Sequence, residues 1–424
     1  MPKGHILMTT TTRRGVLVDT FAGFGGLSLG MEQAGFDVQV GVDVEPVNAS
    51  THEYLFNYGK SLCLDLHQDQ SKAIRAAMPS GTDVDAITLG RTPEAIVGGP
   101  PCTALSAIGR RDPNDDRNKL MASFIEHGIR LEAKIMVMEQ VPTLLQKQNE
   151  PHLDNIRETL HKAGYSLVEP RVLRAIDFGV PQRRERVFLF CHRNDIQAPT
   201  YPEPTHSSEP DFLLKSTPTV SEAFDGLPDA DNFEELWSHS WVDTMPEHPT
   251  SWYGRMMMGL ENDPDDLSYR RIWRRDRLTC SQRTQHEAAS VERFMATAPG
   301  GSERISRRHR LDPNGQALTL RAGSNAEHGS FTAVVPIHSK GSRVITVREG
   351  CRLHSVPDWV RLCDSKIAAL RQLGNSVPPL LGRAVGRQVM KALDLAPAAP
   401  VEAINLGDET LLSNTSIRSI AKAA

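Results

Sequence analysis

One cysteine follows a short apolar strand in a way that suits a nucleophile. The apolar run 95–97 leads directly into Gly98-Gly-Pro-Pro-Cys102. Two consecutive prolines cannot continue a strand, so they predict a rigid turn that projects the Cys102 thiol outward. A structural cysteine more often lies within an apolar run, so the pattern favours a nucleophile over a buried thiol.

A carboxylate and three arginines lie at the ends of two further predicted strands. Glu139 ends the apolar run 134–139, where a closed pocket would remove its hydration and leave it able to hold and donate a proton. A helix N-cap is an equally good interpretation of Glu139. Arg183, Arg184 and Arg186 precede the next strand. They suit either surface ion pairs or the binding of a phosphate or of a base carbonyl oxygen.

A glycine-rich turn follows the first predicted strand. It reads Phe21-Ala-Gly23-Phe-Gly25-Gly26 and leads into a helix, so a ligand can approach the backbone closely. The spacing is G-x-G-G rather than G-x-G-x-x-G, which favours a cofactor without a pyrophosphate over a dinucleotide. Asp43, or else Glu45, ends the second strand and suits ribose hydroxyls. Asp65 could accept from an adenine amino group, although a lone Asp is more often a solvated loop residue or a cap.

Alternating strands and helices must position these residues. In the first 190 residues, short β-branched runs alternate with helix-like segments, which predicts an α/β fold with a mostly parallel sheet. The predicted helices 27–34 and 154–163 end at Gly35 and Gly164, where left-handed C-terminal caps are expected. The predicted strands are 15–19, 38–44, 95–97, 134–139, 166–173 and 186–190.

Length and composition indicate two domains. The 424 residues exceed what one compact core usually supports. The six cysteines have no zinc-ligand spacing, so no metal is expected and free thiols suit the cytoplasm. We recognise no signal peptide and no run of about 18 apolar residues, so no membrane association is expected.

The alternating strand and helix pattern stops near residue 195 and resumes near residue 340. This predicts an N-terminal extension at 1–14, a first domain at 15–195 and a less regular domain at 196–340. The segment 341–394 is expected to rejoin the first domain. The Ala/Pro-rich tail 395–424 is expected to be a tether or a disordered end.

Six motifs, in order, resemble those of the DNA (cytosine-5) methyltransferase family. The turn at Phe21 and Gly99-Pro-Pro-Cys102 come first, followed by Glu139-Gln-Val and Gln182-Arg-Arg-Glu-Arg186. The last two are Arg348-Glu-Gly-Cys-Arg-Leu353 with Pro357, and Gly374-Asn-Ser-Val-Pro-Pro379. The match spans nearly the whole chain, which makes it far more specific than any single motif.

The resemblance implies a Rossmann-like S-adenosylmethionine methyltransferase fold, with a smaller target-recognition domain at 196–340. It implies methylation of a flipped-out cytosine in double-stranded DNA. Cys102 would attack carbon 6, Glu139 would protonate ring nitrogen 3, and Arg186 would bind the carbonyl oxygen with Arg184 beside it. The residues implied to hold or enclose S-adenosylmethionine are Phe21, Gly23, Gly25, Gly26, Asp43, Asp65, Pro100, Asn375, Ser376 and Val377.

Two departures from the family's motifs concern contacts rather than reacting groups. Thr103 and Leu105 stand where the family usually has Gln and Phe, which puts base-displacement contacts in doubt. Gln140 stands where the family has Asn, and we expect it to loosen the support of the nucleophile loop. The loop 103–119 is expected to close over the base and to meet phosphates through its basic residues Arg110, Arg111, Arg117 and Lys119.

The charge pattern points to one region for DNA contact. The net charge of -4 gives no overall attraction to nucleic acid, so a local cluster of cations is required. Residues 270–321 carry twelve arginines against five acidic side chains, whereas 222–266 carry twelve acidic side chains against one arginine. The first stretch, with Trp273 and the segment 319–323, is expected to bind DNA. A solvated surface is the better interpretation of its individual arginines, and the acidic stretch predicts no function.

Two alternatives stay open. A branch of the family methylates transfer RNA, but its members keep the region after the arginine motif short. A nucleic-acid-binding protein that has lost catalysis is a second alternative, and the intact Cys102 and Glu139 argue against it. We expect a monomer, acting either within a restriction-modification system or as an orphan modification enzyme.

Overall fold

An eight-stranded sheet forms the centre of the protein. The computed structural model describes residues 13–78, 92–101, 119–210, 212–322 and 335–413. The sheet order is β3-β2-β1-β4-β5-β9-β6, and β7 also pairs with β9. The first five strands are parallel and β9 is antiparallel to its neighbours, which confirms the predicted α/β fold. The strands are β1 (Gly15–Thr20), β2 (Phe36–Asp43), β3 (Lys60–Cys63), β4 (Ala95–Gly98), β5 (Ile135–Gln140), β6 (Tyr165–Leu167), β7 (Arg171–Arg174), β8 (Gln182–Arg183, outside this sheet) and β9 (Glu185–Arg193).

The strand order opens a crevice between β1 and β4. The chain leaves β1 toward β2 on one side and enters β4 on the other, so the connections diverge at the carboxyl ends of these strands. The register pairs Thr20 with Gly98, which brings the turn after β1 next to the turn after β4. A Cβ on Gly98 would lie 2.3 Å from the Thr20 carbonyl oxygen, so only glycine permits this approach.

Helices cover both faces of the sheet. The side chains of Leu17 and Val18 enter different hydrophobic clusters, as the two-residue period of a strand requires. Gly30 and Gly382 let two helices approach closely, because a Cβ on Gly30 would lie 2.6 Å from the Gly382 Cα. The helices of this part are α1 (Gly26–Gln33), α2 (Pro46–Leu55), α3 (Ser71–Ala77), α4 (Lys119–Arg130), α5 (Glu150–Lys162), and, late in the chain, α9 (Val347–Leu353), α10 (Lys366–Asn375) and α11 (Pro379–Ala392).

Most predicted elements are present, with one error. Gly35 and Gly164 have φ of 107° and 79°, which confirms the predicted left-handed caps. The prediction of one strand over 166–173 is wrong, because the segment forms β6 and β7 with Pro170 between them. Proline has no N–H group to donate to the ladder, so the strand is interrupted there.

The region 196–340 contains short elements rather than a second large sheet. The β12–β14 pair covers a small cluster that includes Leu236 and Val242, while β15 pairs with β8 of the arginine motif. The elements are β10 (His206–Ser207), β11 (Lys215–Ser216), α6 (Val220–Phe224), β12 (Val242–Asp243), α7 (Trp252–Met257), β13 (Arg270–Ile272), β14 (Arg277–Leu278), α8 (Ala288–Ala296) and β15 (Ala317–Leu318).

The end of the acidic stretch binds to a helix that packs beside the central sheet. Asp263 and Asp265 form ion pairs of 2.6 Å with Arg383 and Arg387 of α11. Just beyond, the side chains of Arg271 and Glu32 are fully buried and form a 3.0 Å ion pair. Asp263 and Asp265 of the acidic stretch therefore tie the region 196–340 to α11, and Arg271 ties the same region to α1.

The tail is folded up to residue 413. Strand β16 (Ala403–Asn405) pairs in parallel with β13, and Leu412 is fully buried. The prediction of a tether or disordered end is therefore wrong for 395–413, because this segment buries apolar side chains and completes a strand pair.

Candidate active site

The turn after β1 has the conformation that its glycines predict. Phe21, Gly23 and Gly25 have positive φ of 60°, 57° and 102°, which glycine adopts readily and Phe21 adopts at a cost. Helix α1 begins at Gly26, and no side chain caps its first turn. The N-terminal N–H groups of α1 therefore suit a negatively charged ligand group.

Asp43 supports this turn from the end of β2. Its Oδ2 accepts from the Gly23 N–H at 2.9 Å, and its Oδ1 accepts from the Glu45 N–H at 2.8 Å and from Asn48 at 3.1 Å. Burial raises the pKa of Asp43, while these hydrogen bonds act in the opposite direction. Glu45 is exposed beside it, so both carboxylates predicted for ribose lie at the crevice.

Asp65 lies two residues beyond the end of β3. Its side chain is 48% exposed and accepts from the backbone N–H of His67 at 2.9 Å. These contacts with His67 lower the pKa of Asp65. The carboxylate forms a small turn of its own, which is the cap-like alternative considered from the sequence, and its predicted contact with an adenine stays a prediction.

The late segment Asn375–Val377 meets the glycine-rich turn. A Cβ on Gly26 would lie 2.6 Å from the Val377 carbonyl oxygen and 3.0 Å from the Ser376 Cβ. Asn375 is exposed at the end of α10. The three residues that the sequence predicts at the cofactor are thus brought beside the turn after β1 by the packing of α11 on α1.

Glu139 and Arg186 lie together at the end of the sheet. Glu139 pairs with Phe188 across β5 and β9, and Arg186 is two residues from Phe188, so both side chains share one face. Their Oε1 and Nε atoms are 2.6 Å apart. A Cβ on Gly99 would lie 2.9 Å from the other Glu139 carboxylate oxygen. The pair therefore borders the loop that leads from β4 to Cys102.

Gln140 supports that loop. Its Nε2 donates to the Pro100 carbonyl oxygen at 2.6 Å, in a buried position. The longer side chain of Gln140 therefore reaches the loop backbone at Pro100, while the expectation that it loosens the nucleophile loop stays a prediction. Cys102 and residues 103–118 lie outside the described residues, so the predictions made for Cys102, Thr103 and Leu105 are not tested by this geometry.

Arg184 is 1% exposed and its guanidinium binds backbone groups. Its Nη1 donates to the Leu320 carbonyl oxygen at 3.1 Å and its Nη2 to the Gly374 carbonyl oxygen at 3.0 Å. Burial and the neighbouring Arg186 lower the pKa of Arg184. Both terminal nitrogens are thus occupied by the protein itself, which differs from the predicted position at the base beside Arg186.

An open cleft of about 460 Å³ lies beside this group. It is formed by the arginine motif together with side chains of the region 196–340, which gives it a largely cationic lining. The lining residues are Arg174, Ile176, Arg183, Arg184, Glu185, Arg186, Ser208 and Thr319.

A buried polar network beneath the turn was not predicted from the sequence. Ser28 donates to Asp19 Oδ2 at 2.5 Å, and the same hydroxyl lies 3.0 Å from His52 Nε2. His52 Nδ1 lies 2.7 Å from the Ser61 hydroxyl. Burial raises the pKa of Asp19 to about 7 and lowers that of His52 to about 3. The polar residue that ends an otherwise apolar strand is the signal that could have identified Asp19.

His354 is a second residue that the sequence did not reveal. It is fully buried, and its Nδ1 lies 3.0 Å from Gln182 Nε2. On the other side, its Nε2 lies 2.9 Å from the Ser376 hydroxyl. His354 therefore connects the arginine motif to the segment that meets the cofactor turn.

The arginine-rich stretch 270–321 divides into buried and exposed members. Arg271 pairs with Glu32, and Arg310 donates to the carbonyl oxygens of Ser339 and Phe294, so neither is available to DNA. The expectation of DNA contact is wrong for these two. Exposed arginines keep the predicted role open, and they include Arg270, Arg304, Arg307 and Arg321.

Two features of other protein classes, metal-binding clusters and membrane-spanning helices, are absent from the described residues. Within the described ranges, no three His, Cys, Asp or Glu side chains form a group that could hold a metal ion. No helix in those ranges has the length and apolarity needed to cross a membrane.

Comparison with known proteins gives one consistent result. The family model described as C-5 cytosine-specific DNA methylase matches residues 16–391. The type II methyltransferase M.XorII of Xanthomonas oryzae pv. oryzae is 40% identical over 403 residues, covering 94% of this chain and 90% of the relative. The type II methyltransferase M1.HphI of Haemophilus parahaemolyticus is 29% identical over 380 residues, covering 88% of this chain and 86% of the relative.

A solved structure agrees with these relatives. The crystal structure of a protein described as a DNA modification methyltransferase encoded within an E. coli prophage superposes with a TM-score of 0.70. It is 26% identical in sequence and covers 89% of this chain and 99% of its own. The similarity therefore extends through the region 196–340 as well as through the sheet.

Proposed function

The chain belongs to the C-5 cytosine-specific DNA methylase family, and we propose that it methylates a flipped-out cytosine within a short sequence of double-stranded DNA. Membership makes it a DNA (cytosine-5) methyltransferase. The proposal concerns the cofactor site, the chemical route and the residues that carry it.

The crevice between β1 and β4 fits S-adenosylmethionine. The uncapped N-terminus of α1 suits its carboxylate, and Asp43 and Glu45 at the end of β2 suit its ribose. Phe21, Gly23, Gly25 and Gly26 would let the ligand approach the backbone. Asp65, Pro100 and Asn375–Val377 would enclose it. When bound, the cofactor supplies the methyl group as an electrophile.

Glu139 and Arg186 are suited to the base. Carbon 5 of cytosine is a weak nucleophile until a group adds to carbon 6. We assign that addition to the Cys102 thiolate, which forms a sulfur–carbon bond and shifts the π electrons of the ring toward carbon 5. Glu139 would protonate ring nitrogen 3, while Arg186 binds the carbonyl oxygen and stabilises the developing charge. Carbon 5 would then attack the methyl group, whose bond to the cofactor sulfur breaks. Loss of the carbon 5 proton to a base would expel the Cys102 thiolate from carbon 6 and restore the ring double bond.

The single observation that carries this proposal is the 2.6 Å Glu139–Arg186 pair beside Gly99. Glu139 lies on β5, the strand next to β4, and the carboxyl end of β4 adjoins the cofactor turn. A base in a stacked duplex cannot enter such a recess, so the target must be flipped out, at a cost of a few kcal/mol. The exposed arginines beside the cleft are suited to the neighbouring phosphates.

Genome-wide mapping tests the proposal. The chain is expressed in a bacterium that lacks 5-methylcytosine, and modified cytosines are located by conversion sequencing. We expect methylation at one short motif, and none with Cys102→Ala. An unmodified genome would contradict the proposal, and methyl transfer to transfer RNA instead would establish the RNA alternative.

The named relatives are type II methyltransferases, so we propose that this chain is the modification enzyme of a restriction-modification system or an orphan counterpart. A restriction enzyme that cleaves the mapped motif only when it is unmethylated would distinguish the first from the second.

A further inference from the structure

Side chains of the arginine motif alternate between buried and exposed positions along the segment. Gln182, Arg184 and Arg186 point to one side of their segment, whereas Arg183 and Glu185 are exposed. Arg186 pairs with Glu139. Gln182 and Arg184 are 0% and 1% exposed and therefore cannot meet DNA without a rearrangement. Their contacts lie instead with a segment of the region 196–340.

That segment is held at Leu320 from both sides. The Leu320 N–H donates to Gln182 Oε1 at 3.1 Å, and the Leu320 carbonyl oxygen accepts from Arg184 Nη1 at 3.1 Å. One residue earlier, the Thr319 hydroxyl donates to the Arg183 carbonyl oxygen at 2.7 Å. The parallel pairing of β15 with β8 fixes the register of these contacts.

The residues that follow Leu320 are also fixed. A Cβ on Gly374 would lie 2.3 Å from the Ala322 nitrogen, so the backbone at 321–322 crosses Gly374 in close contact. Arg184 Nη2 binds the carbonyl oxygen of that same glycine. Thr319 lines the cleft that Arg186 also lines, and Arg321 is exposed. The segment 319–322 thus places Thr319 in the cleft beside Arg186 and leaves Arg321 exposed, while Leu320 is buried.

Burial of the Arg184 guanidinium carries a desolvation cost. Its Nε has no hydrogen-bond partner among the described residues, and no carboxylate in those ranges forms an ion pair with it. Glu139 attracts the Arg184 charge without forming an ion pair with it, and burial together with the repulsion from Arg186 acts against that charge. A buried cation without an ion-pair partner costs stability rather than adding to it. The arrangement is therefore better explained by a requirement for position than by a requirement for stability.

We propose that Gln182 and Arg184 are positioning residues that set target-sequence discrimination, by fixing the segment 319–322 in register with Arg186. The inference rests on the proposed function. Recognition contacts to base edges discriminate by their geometry, and a displacement of about 1 Å is enough to lose them. The reading segment is held on β8 and Arg184, which lead directly into the strand of Arg186. This arrangement would keep the distance between the read bases and the reacting base constant.

The test is a competition between two duplexes in one reaction. One carries the target motif found by genome mapping, and the other carries it with one base pair changed outside the methylated cytosine. The ratio of methylation rates is the readout, because it does not depend on how much of the protein is folded or active. A loss of stability lowers both rates and leaves the ratio unchanged.

We expect the ratio to fall at least about tenfold in Arg184→Met and in Gln182→Met, since each removes a hydrogen bond to Leu320. Arg184→Lys keeps the charge but not the two-point geometry, so it should give an intermediate ratio. The double variant should fall little further than either single variant, because both act on one residue. Leu160→Ala, a cavity in the core beneath α5, is the matched control that lowers stability alone.

A ratio within twofold of the wild-type value in Arg184→Met would overturn the proposal. If Arg184→Met does not fold, the same criterion applied to Arg184→Lys and Gln182→Met decides. Failure of the proposed function is a separate outcome, because the wild-type protein would then methylate neither duplex.

Discussion

Asp19 makes the stability of the protein depend on pH. Its carboxyl is 1% exposed at the end of β1, and burial raises its pKa from 3.8 to about 7, although Ser28 donates to it. The folded protein therefore binds this proton more tightly than the unfolded chain does. The free energy of unfolding must then fall as the pH rises from the unfolded value to the folded value.

The magnitude follows from the size of the shift. One pKa unit corresponds to about 1.4 kcal/mol, so the full shift corresponds to roughly 4 kcal/mol. Between pH 5 and pH 8 the carboxyl is already ionised in the unfolded chain, while it loses its proton in the folded protein. The free energy of unfolding should therefore fall by about 3 kcal/mol across this range because of Asp19. Asp19→Asn cannot ionise and keeps an acceptor for Ser28. Its stability relative to wild type should therefore rise by about 3 kcal/mol across this window.

Urea unfolding followed by circular dichroism at pH 5, 6, 7 and 8 measures this difference. The control is Asp154→Asn, which changes a carboxyl that is 65% exposed on α5, and its curve should stay parallel to that of wild type. Parallel curves for Asp19→Asn and wild type would refute the reasoning, because they would mean that Asp19 titrates alike in the folded and unfolded states.

Three further predictions concern the site and its support. Glu139→Gln should lower the rate of methyl transfer at least about 100-fold with DNA and cofactor binding retained, and unchanged single-turnover rates would contradict its role as proton donor. Arg271→Met should destabilise the protein by about 3–5 kcal/mol in urea unfolding, with Glu32→Gln in the same chain recovering part of the loss; no recovery would show that the ion pair is not the cause. Gly26→Ala should weaken binding of S-adenosylhomocysteine at least about tenfold by calorimetry, because the added Cβ meets the Val377 carbonyl oxygen; an unchanged affinity would show that the turn yields freely.

The sequence predicted what depends on local pattern. Strands and helices follow from short-range periodicity, and the glycine caps follow from the backbone conformation that Gly35 and Gly164 adopt. The juxtaposition of Glu139 with the loop after β4 also follows, since the carboxyl ends of neighbouring parallel strands share one edge of the sheet.

What the sequence did not predict depends on distant partners. Arg271 and Glu32 are 239 positions apart, and nothing in either neighbourhood indicates that they meet. The partners of Arg184 are also distant in sequence, because they are the carbonyl oxygens of Leu320 and Gly374. The prediction for the tail was wrong for a similar reason. Its burial depends on a pairing with β13 that its Ala/Pro-rich composition does not suggest.

Gln140 illustrates the limit most directly. Its difference from the family's Asn suggested a weaker loop, yet the extra methylene still places an amide donor at the Pro100 carbonyl oxygen. Whether a substitution breaks a contact depends on the distance to be spanned, which the sequence does not contain.

The most direct test of the central claim is to trap the adduct between Cys102 and the target base. A duplex carrying 5-fluorocytosine at the mapped position is incubated with the protein and S-adenosylmethionine, and the products are separated under denaturing conditions. Fluorine cannot leave carbon 5 as a proton does, so the sulfur–carbon bond should persist and a covalent protein–DNA complex should form with wild type and not with Cys102→Ala. A complex of equal yield with Cys102→Ala, or none with a wild-type protein that methylates the normal duplex, would contradict the account.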